Sequence, residues 1–351
     1  MKIALITGSC GLVGSESVKF FHQKGFDILG IDNNLRKFFF GKDGDTSWVK
    51  KKLKKNFNNY NHFSIDIRNY NQLKKIFQKY KAKIKVIIHA AAQPSHDWAK
   101  NNSFIDFDVN AKSTLNLLDL TNKFCPKAVF LFMSTNKVYG DNPNKLRLIE
   151  KKSRWEIKYN KKYFNGIDET MSIDGATHSF FGASKAYADL IVQEFGKNNK
   201  IKTACFRAGC ITGPDHSGAK LHGFLSYLVK SCLDKKEYTI IGYKGKQVRD
   251  NIHSEDLVSC FWEFYKKPRY GEVYNVGGGR KSNCSVIEAI KAVENKVKIK
   301  VKIKYQKLNR IGDHIWYISD MKKFKKHFPN WRQKFDTQKI INELIETRTN
   351  N

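Results

Sequence analysis

Lys2-Ile3-Ala4-Leu5-Ile6-Thr7-Gly8-Ser9-Cys10-Gly11-Leu12-Val13-Gly14 is the stretch that decides the fold. It reads as a short apolar strand, a glycine-rich turn and the start of an amphipathic helix that runs to Lys24-Gly25. Strand, turn and helix in that order suit a dinucleotide. Glycines let the backbone approach a pyrophosphate, and the helix N-terminus offers unpaired N–H groups and a positive dipole end to its charge. The glycine spacing is looser than in many dehydrogenases, and an ordinary glycine turn would have the same composition. Gly8, Cys10, Gly11, Leu12 and Gly14 are the expected contacts of such a cofactor.

Outward from this turn, a second strand, 27–31, ends at Asp32, about 20 residues beyond the glycines. A carboxylate there accepts hydrogen bonds from an adenosine ribose and repels a 2'-phosphate, so NAD is expected rather than NADP, with Asn33 beside it. A third strand ends at Ser64-Ile65-Asp66-Ile67, placing Asp66 and Ile67 near the adenine. A fourth, Val86-Ile87-Ile88-His89, ends in Ala90-Ala91-Ala92, small residues against which a cofactor can lie. The fifth, Ala128 to Met133, runs into Ser134-Thr135-Asn136-Lys137-Val138-Tyr139-Gly140. Strands alternating with helices predict an α/β fold with a parallel sheet covered on both faces.

The glycine turn, Ser134 to Gly140, and Phe181-Gly182-Ala183-Ser184-Lys185 together resemble the extended short-chain dehydrogenase/reductases that act on nucleotide sugars. The wording of Ser134 to Gly140 resembles the CDP-paratose 2-epimerase branch. Similarity runs from about Lys2 to Trp331 and includes Gly245 to Asp250, Asn275-Val276-Gly277-Gly278 and Arg310-Ile311-Gly312-Asp313. The resemblance implies a Rossmann-type doubly wound sheet with a smaller C-terminal α/β substrate-binding region. The division would fall at 1–210 and 211–351, with the chain crossing back near 251–265. It further implies enzyme-bound NAD, a nucleotide-diphosphate sugar as partner, with a CDP-sugar favoured, and a homodimer.

The same resemblance assigns roles. Thr135 matches the hydroxyl that bonds the reacting sugar oxygen, Lys185 the lysine that holds the nicotinamide ribose, and Asn110 the asparagine that organises the active-site backbone. Arg249 and Arg310 match a diphosphate clamp, with an Arg–Asp ion pair to Asp250 or Asp313 as the competing reading. Gln93, Asn136 and Arg207, near the ends of the fourth, fifth and sixth strands, are expected at the sugar. Glu169, within the insert from Asp141 to Thr177, is a substrate contact, a helix cap or a surface acid. Related 4,6-dehydratases carry Asp-Glu after the threonine to eliminate water; Asn136-Lys137 stands here, which disfavours dehydration and leaves oxidation and re-reduction at one carbon, C2 by resemblance.

Phe181 departs from the pattern. A tyrosine four residues before the lysine takes a proton from a sugar alcohol as hydride leaves, and a phenyl ring cannot. Another group carries the proton, or the site binds without turning over, or the chain was altered to trap a complex. Candidates for the other group are Lys137, His96, Asp97 and Cys210; Tyr187 lies about 240° further round the helix and points elsewhere.

Composition narrows the remaining classes. The net charge of +31 comes from 64 basic and 33 acidic residues, but the lysines are scattered and the dense run Lys50 to Lys55 has no stacking aromatics around it, so no nucleic acid is expected. Such a field does favour polyanionic small molecules. The seven cysteines show no paired or metal-ligand spacing and no leader precedes them, which reads as reduced thiols, no metal and a cytoplasmic setting. No apolar run reaches the roughly 18 residues of a membrane span. The segment from Asn33 to Asn61 is long for a connection and reads equally as a lid or as a helical insert packing Phe38, Phe39 and Phe40.

Overall fold

The computed structural model describes residues 2–216, 223–309 and 312–349; Arg310 lies outside them. Seven strands, β1 (Ile3–Thr7), β2 (Asp27–Ile31), β3 (Tyr60–Phe63), β4 (Ile84–His89), β5 (Val129–Thr135), β6 (Thr203–Ala208) and β7 (Glu272–Val276), form one sheet in the order β7-β6-β5-β4-β1-β2-β3. Every neighbouring pair is parallel. This is the Rossmann-type doubly wound sheet, and the order reverses between β1 and β4, where open α/β sheets leave a crevice for ligands.

The strands are apolar because both faces are covered. Ala4, Ile6, Val86, Ile88 and Leu131 face one buried layer, and Ile3, Leu5, Ile87, Phe130 and Phe132 the other. The alternation is the period of a strand read into two cores. The helix Leu12–Gln23 packs on the helix Ser254–Lys266 across the first layer. The chain therefore returns to the sheet with that helix and β7.

A third apolar cluster joins the helices Phe224–Leu233, Val286–Val297 and Thr337–Thr349 to the paired strands Glu237–Ile241 and Lys302–Gln306. Between this cluster and the main sheet, Val248–His253 pairs with Asn283–Ser285, Trp316–Tyr317 and Cys210–Thr212. The last of these follows β6 directly, so the two parts share continuous backbone pairing.

The segment after β2 is helical, with Leu35–Phe40 and Ser47–Asn56 joined by a turn. Asn34, at φ 57°, starts it. The Asn34 carboxamide accepts from Thr46 N at 3.0 Å and donates to Asp45 at 2.9 Å, folding the insert back on itself. Phe39 is buried against Trp98, with ring centroids 4.7 Å apart, while Phe38 stays exposed. The insert is tied to the rest of the chain by charge: Lys52 and Lys19 both bind the buried Asp215, and Lys230 reaches Asp43 at 2.9 Å.

Two residues expected at the sugar have other work. Arg207 is buried and forks onto Asp189, with Nη2 to Oδ1 at 2.7 Å and Nε to Oδ2 at 3.0 Å, and its Nη1 donates to the Tyr139 hydroxyl at 3.0 Å. Ser134 Oγ donates to the same carboxylate at 2.5 Å. Glu169 accepts from the backbone N–H of Asn275 in β7 at 2.7 Å, and burial raises its pKa. Neither lines the large cleft. The first is a structural ion pair and the second ties the 141–177 insert to the sheet edge.

Removing one member of a buried pair strands the other charge, which costs about 3–5 kcal/mol. Arg207→Ala is expected to lose stability of that order in urea unfolding, and Asp189→Leu with Arg207→Met to recover most of it. A loss below about 1 kcal/mol in the single variant would contradict the structural assignment.

Candidate functional site

One cleft of about 440 Å³ opens at the carboxyl ends of β1, β2, β4 and β5 and extends towards the C-terminal cluster. Its first wall is the glycine turn. Gly8 sits at φ +68°, and a Cβ there would come within 2.7 Å of Ala91 N; a Cβ on Gly14 would lie 1.9 Å from Gly8 O. Only hydrogen fits at these two positions, so turn, helix and β4 end stay in contact. No side chain caps the helix Leu12–Gln23 at Gly11, and its first turn carries no acid, which leaves its N–H groups for an anion.

Asp32 ends β2 and lines the cleft. Its Oδ2 accepts from Cys10 N at 2.9 Å and its Oδ1 from Asn34 N at 2.7 Å, while burial raises its pKa. Gly8, Gly11, Leu12, Gly14, Asn33, Ile67 and Ala90 to Ala92 line the same cleft. Cys10 does not: its thiol is buried behind the turn near Tyr60 and pushed up to about 12 by burial, so the residue contributes its backbone N–H alone. Asp66 lines the cleft but is already bound by Arg68, with Nη2 to Oδ2 at 2.6 Å, and by Asn33 at 3.1 Å. A cradle that a Cβ would fill, an uncapped helix end and a carboxylate at the second strand end fit the NAD expected there.

The other end of the cleft holds the side chains expected at the chemistry. Thr135 ends β5, and its Oγ1 accepts from Lys137 N at 3.2 Å. Phe181 and Lys185 lie one turn apart on the helix Phe180–Asn198 and both line the cleft. Lys185 Nζ donates to Met133 O at 2.7 Å and lies 4.1 Å from the Phe132 ring centre; burial lowers its pKa to about 8. His96 also lines the cleft, with its ring centroid 5.0 Å from that of Phe181 in edge contact and its Nδ1 2.6 Å from Ser179 Oγ. Ser134 and Asn136 complete this wall. Tyr187 is turned out towards Phe107, 5.8 Å between centroids.

Lys137, Arg249 and Asp313 meet where the substrate diphosphate is expected. Lys137 Nζ donates to Gly312 O at 3.1 Å and to Asp313 Oδ1 at 3.3 Å, and Arg249 Nη2 donates to the same oxygen at 2.7 Å. Despite its burial, Asp313 is held well below the usual carboxylate range by Arg249 and Lys137. Burial lowers the pKa of Lys137 and raises that of Cys210, to about 11. The Arg–Asp pair of the competing reading exists, and Asp313 is its acid.

Two expected contacts lie one layer back. Asn110, in a π-turn over Asp108–Lys112, accepts from Gln93 N at 2.9 Å and donates to Gln93 O at 3.0 Å and Ser184 Oγ at 3.2 Å. Gln93 is fully buried in this network and does not line the cleft, because its backbone bonds hold it behind the β4 end. Arg36, Phe224, Tyr227, Tyr238, Gln247 and Ser179 were not read from the sequence; Ser179 does its work through His96, and the others line the cleft. Among the described residues, no group of three or more His, Cys, Asp or Glu is placed to hold a metal, and no helix is long and apolar enough to cross a membrane.

Lys185 provides a pH test. A lysine whose folded pKa lies below its ordinary value costs stability fully below about pH 8, and the cost fades as pH rises towards the unfolded value. Lys185→Met is therefore expected to gain roughly 1–3 kcal/mol in urea unfolding at pH 7, and the gain should shrink by pH 9.5. A variant less stable than the original at pH 7 would refute this. In a second test, Asp32→Ala should weaken NAD and narrow the preference over NADP in equilibrium binding; equal affinity of the unmodified protein for both would remove Asp32 from that role.

Residues 4–277 match the model of the NAD dependent epimerase/dehydratase family. The chain is 27% identical to CDP-paratose 2-epimerase of Salmonella typhi over 350 residues, covering 97% of this chain and 98% of that one. It is 25% identical to UDP-glucuronate 4-epimerase of Thermodesulfobacterium geofontis over 345 residues, covering 97% and 94%. Among solved structures, UDP-glucuronic acid 4-epimerase from Bacillus cereus, crystallised with UDP-glucuronic acid and NAD, superposes with a TM-score of 0.79 at 22% identity, covering 99% of each chain. The dTDP-glucose 4,6-dehydratase from Bacillus anthracis, in complex with NAD, gives 0.77 at 23%, covering 100% and 97%. These two likenesses speak to the fold. The match over residues 4–277 makes this chain a member of the NAD dependent epimerase/dehydratase family.

Proposed function

We propose that the protein is an NAD-dependent nucleotide-sugar epimerase that inverts one sugar carbon by transient oxidation and re-reduction. The observation that carries this reading is the pair after Thr135. Elimination of water needs an acid and a base beside the sugar; here Asn136 has no ionisable proton and the Lys137 ammonium is bound to Asp313 and Gly312 O. Bound NAD supplies a place for a hydrogen and its electron pair and returns them. Thr135 orients the sugar oxygen, Lys185 holds the nicotinamide ribose, and Arg249, whose remaining N–H groups are not used by Asp313 or Val248 O, binds the diphosphate. Likeness to the Salmonella epimerase points to a CDP-sugar and to C2.

The division of labour follows the sequence reading, with 1–210 mainly for NAD and 211–351 mainly for the nucleotide sugar. The free cysteines suit the cytoplasm. Exposed Phe104, Phe107, Tyr187 and Leu190, on neighbouring helices, suit a homodimer face. Phe181 favours a second reading, a nucleotide-sugar-binding protein without turnover.

The test is incubation with CDP-, GDP-, UDP- and dTDP-hexoses carrying deuterium on the ring carbons. An epimerase converts one of them to a sugar of unchanged mass, deuterium retained, without releasing NADH. Stoichiometric NADH release would indicate a dehydrogenase, and tight binding without conversion the silent protein. Arg249→Ala should weaken the nucleotide sugar about 10- to 100-fold while leaving NAD affinity unchanged; equal sugar affinity would remove Arg249 from the clamp.

A further inference from the structure

Phe181 leaves a specific chemical vacancy: a family of redox epimerases needs a group that takes the proton of the reacting hydroxyl, and the ring at this position has none. Four side chains compete. Cys210 is held as a thiol by burial, which raises its pKa to about 11. Lys137 is committed as a cation to Asp313 and Gly312 O. Asp97 is absent from the cleft wall. His96 lines the cleft, touches the Phe181 ring edge-on at 5.0 Å, and is fixed from behind by Ser179 Oγ at 2.6 Å from Nδ1.

From this arrangement we infer that His96 is the acid–base residue of the proposed epimerase, with Ser179 positioning its ring and Phe181 serving as the packing surface that holds it at the sugar. The inference rests on the epimerase reading above.

Ser179 suits the role because its hydroxyl both accepts and donates. It caps the helix Phe180–Asn198 by accepting from Gly182 N at 3.1 Å, and it can meet Nδ1 in either protonation state. The acid–base group is thereby tied to the same helix end that carries Phe181 and, one turn on, Lys185. In the forward step the sugar O–H bond breaks and an N–H bond forms on Nε2. The C–H electron pair leaves with its hydrogen for the nicotinamide cofactor, and the carbon becomes a ketone. The return step reverses each change on the other face. Asp313, whose carboxylate feels the His96 charge, draws the imidazolium that appears midway, against the opposing cations Arg249 and Lys137 on the same carboxylate.

The experiment uses the NAD-loaded protein and whichever of CDP-, GDP-, UDP- or dTDP-glucose it converts. His96→Gln should lower kcat by 10²- to 10⁴-fold with KM within threefold, and adding Phe181→Tyr to that variant should recover at least tenfold, which also shows that the variant folds. The rate of the unmodified protein should follow one ionisation between pH 5.5 and 7.5, moved to the alkaline side in the double variant. With ¹³C-labelled histidine, the resonance lost in His96→Gln should shift when the sugar binds. Conversion by His96→Gln within threefold of the original, a rate flat from pH 5.5 to 8, or a resonance indifferent to the sugar overturns His96 alone. If the unmodified protein converts no sugar, the epimerase reading falls, and this assignment with it.

Discussion

A guanidinium and a carboxylate buried behind the Thr135 and Lys185 end of the cleft tie together the elements that form it. Asp189 belongs to the helix that carries Phe181 and Lys185, Arg207 to β6, and Ser134, on the same carboxylate, to β5 immediately before Thr135. Through Tyr139 and Asn275 the network reaches β7. Helix and strands could slide past one another on apolar contacts alone, because such contacts have little direction. Forked hydrogen bonds do have direction, and they fix how far Lys185 and Thr135 stand apart. A pair of this kind adds little net stability while imposing one geometry, which is what a cleft with several cooperating side chains needs.

The parts legible in the sequence are those whose demands are local. Gly14 is required by contacts with Gly8 and Ser9 a few residues away, and Asp32 stands directly after its strand, so this part could be read in one dimension; the crowding of Gly8 against Ala91 at the β4 end shows only in the fold. The missing hydroxyl of Phe181 was legible for the same reason, since its partner Lys185 is one helical turn away. Arg207 and Glu169 were misplaced because their partners, Asp189 and Asn275, come from elements distant along the chain. An arginine near a strand end looks the same in sequence whether it meets a substrate or an aspartate. Arg249 shows the intermediate case: its pairing with an acid was foreseen as an alternative, and only the fold shows Lys137 sharing Asp313 with it.

The strong positive charge reads differently against the structure. Lysines are distributed over the surface, but Lys52 of the insert and Lys19 of the helix Leu12–Gln23 converge on Asp215, which lines the cleft, while Lys37 pairs with Asp45 within the insert and Lys230 with Asp43. Basic residues here hold segments together around the cleft. At the other end, Arg249 and Lys137 surround a single carboxylate, so the wall keeps a surplus of positive charge where a diphosphate is proposed to lie.

The ion pairs Lys52–Asp215 and Lys230–Asp43 tie the insert, whose Arg36 and Phe39 line the cleft, to the elements that bring Asp215, Phe224 and Tyr227 to it. Moving the insert away from these elements would have to break at least one of the pairs. The width of the cleft is thus set in part by ion pairs that stand apart from its lining, and not by the lining residues alone.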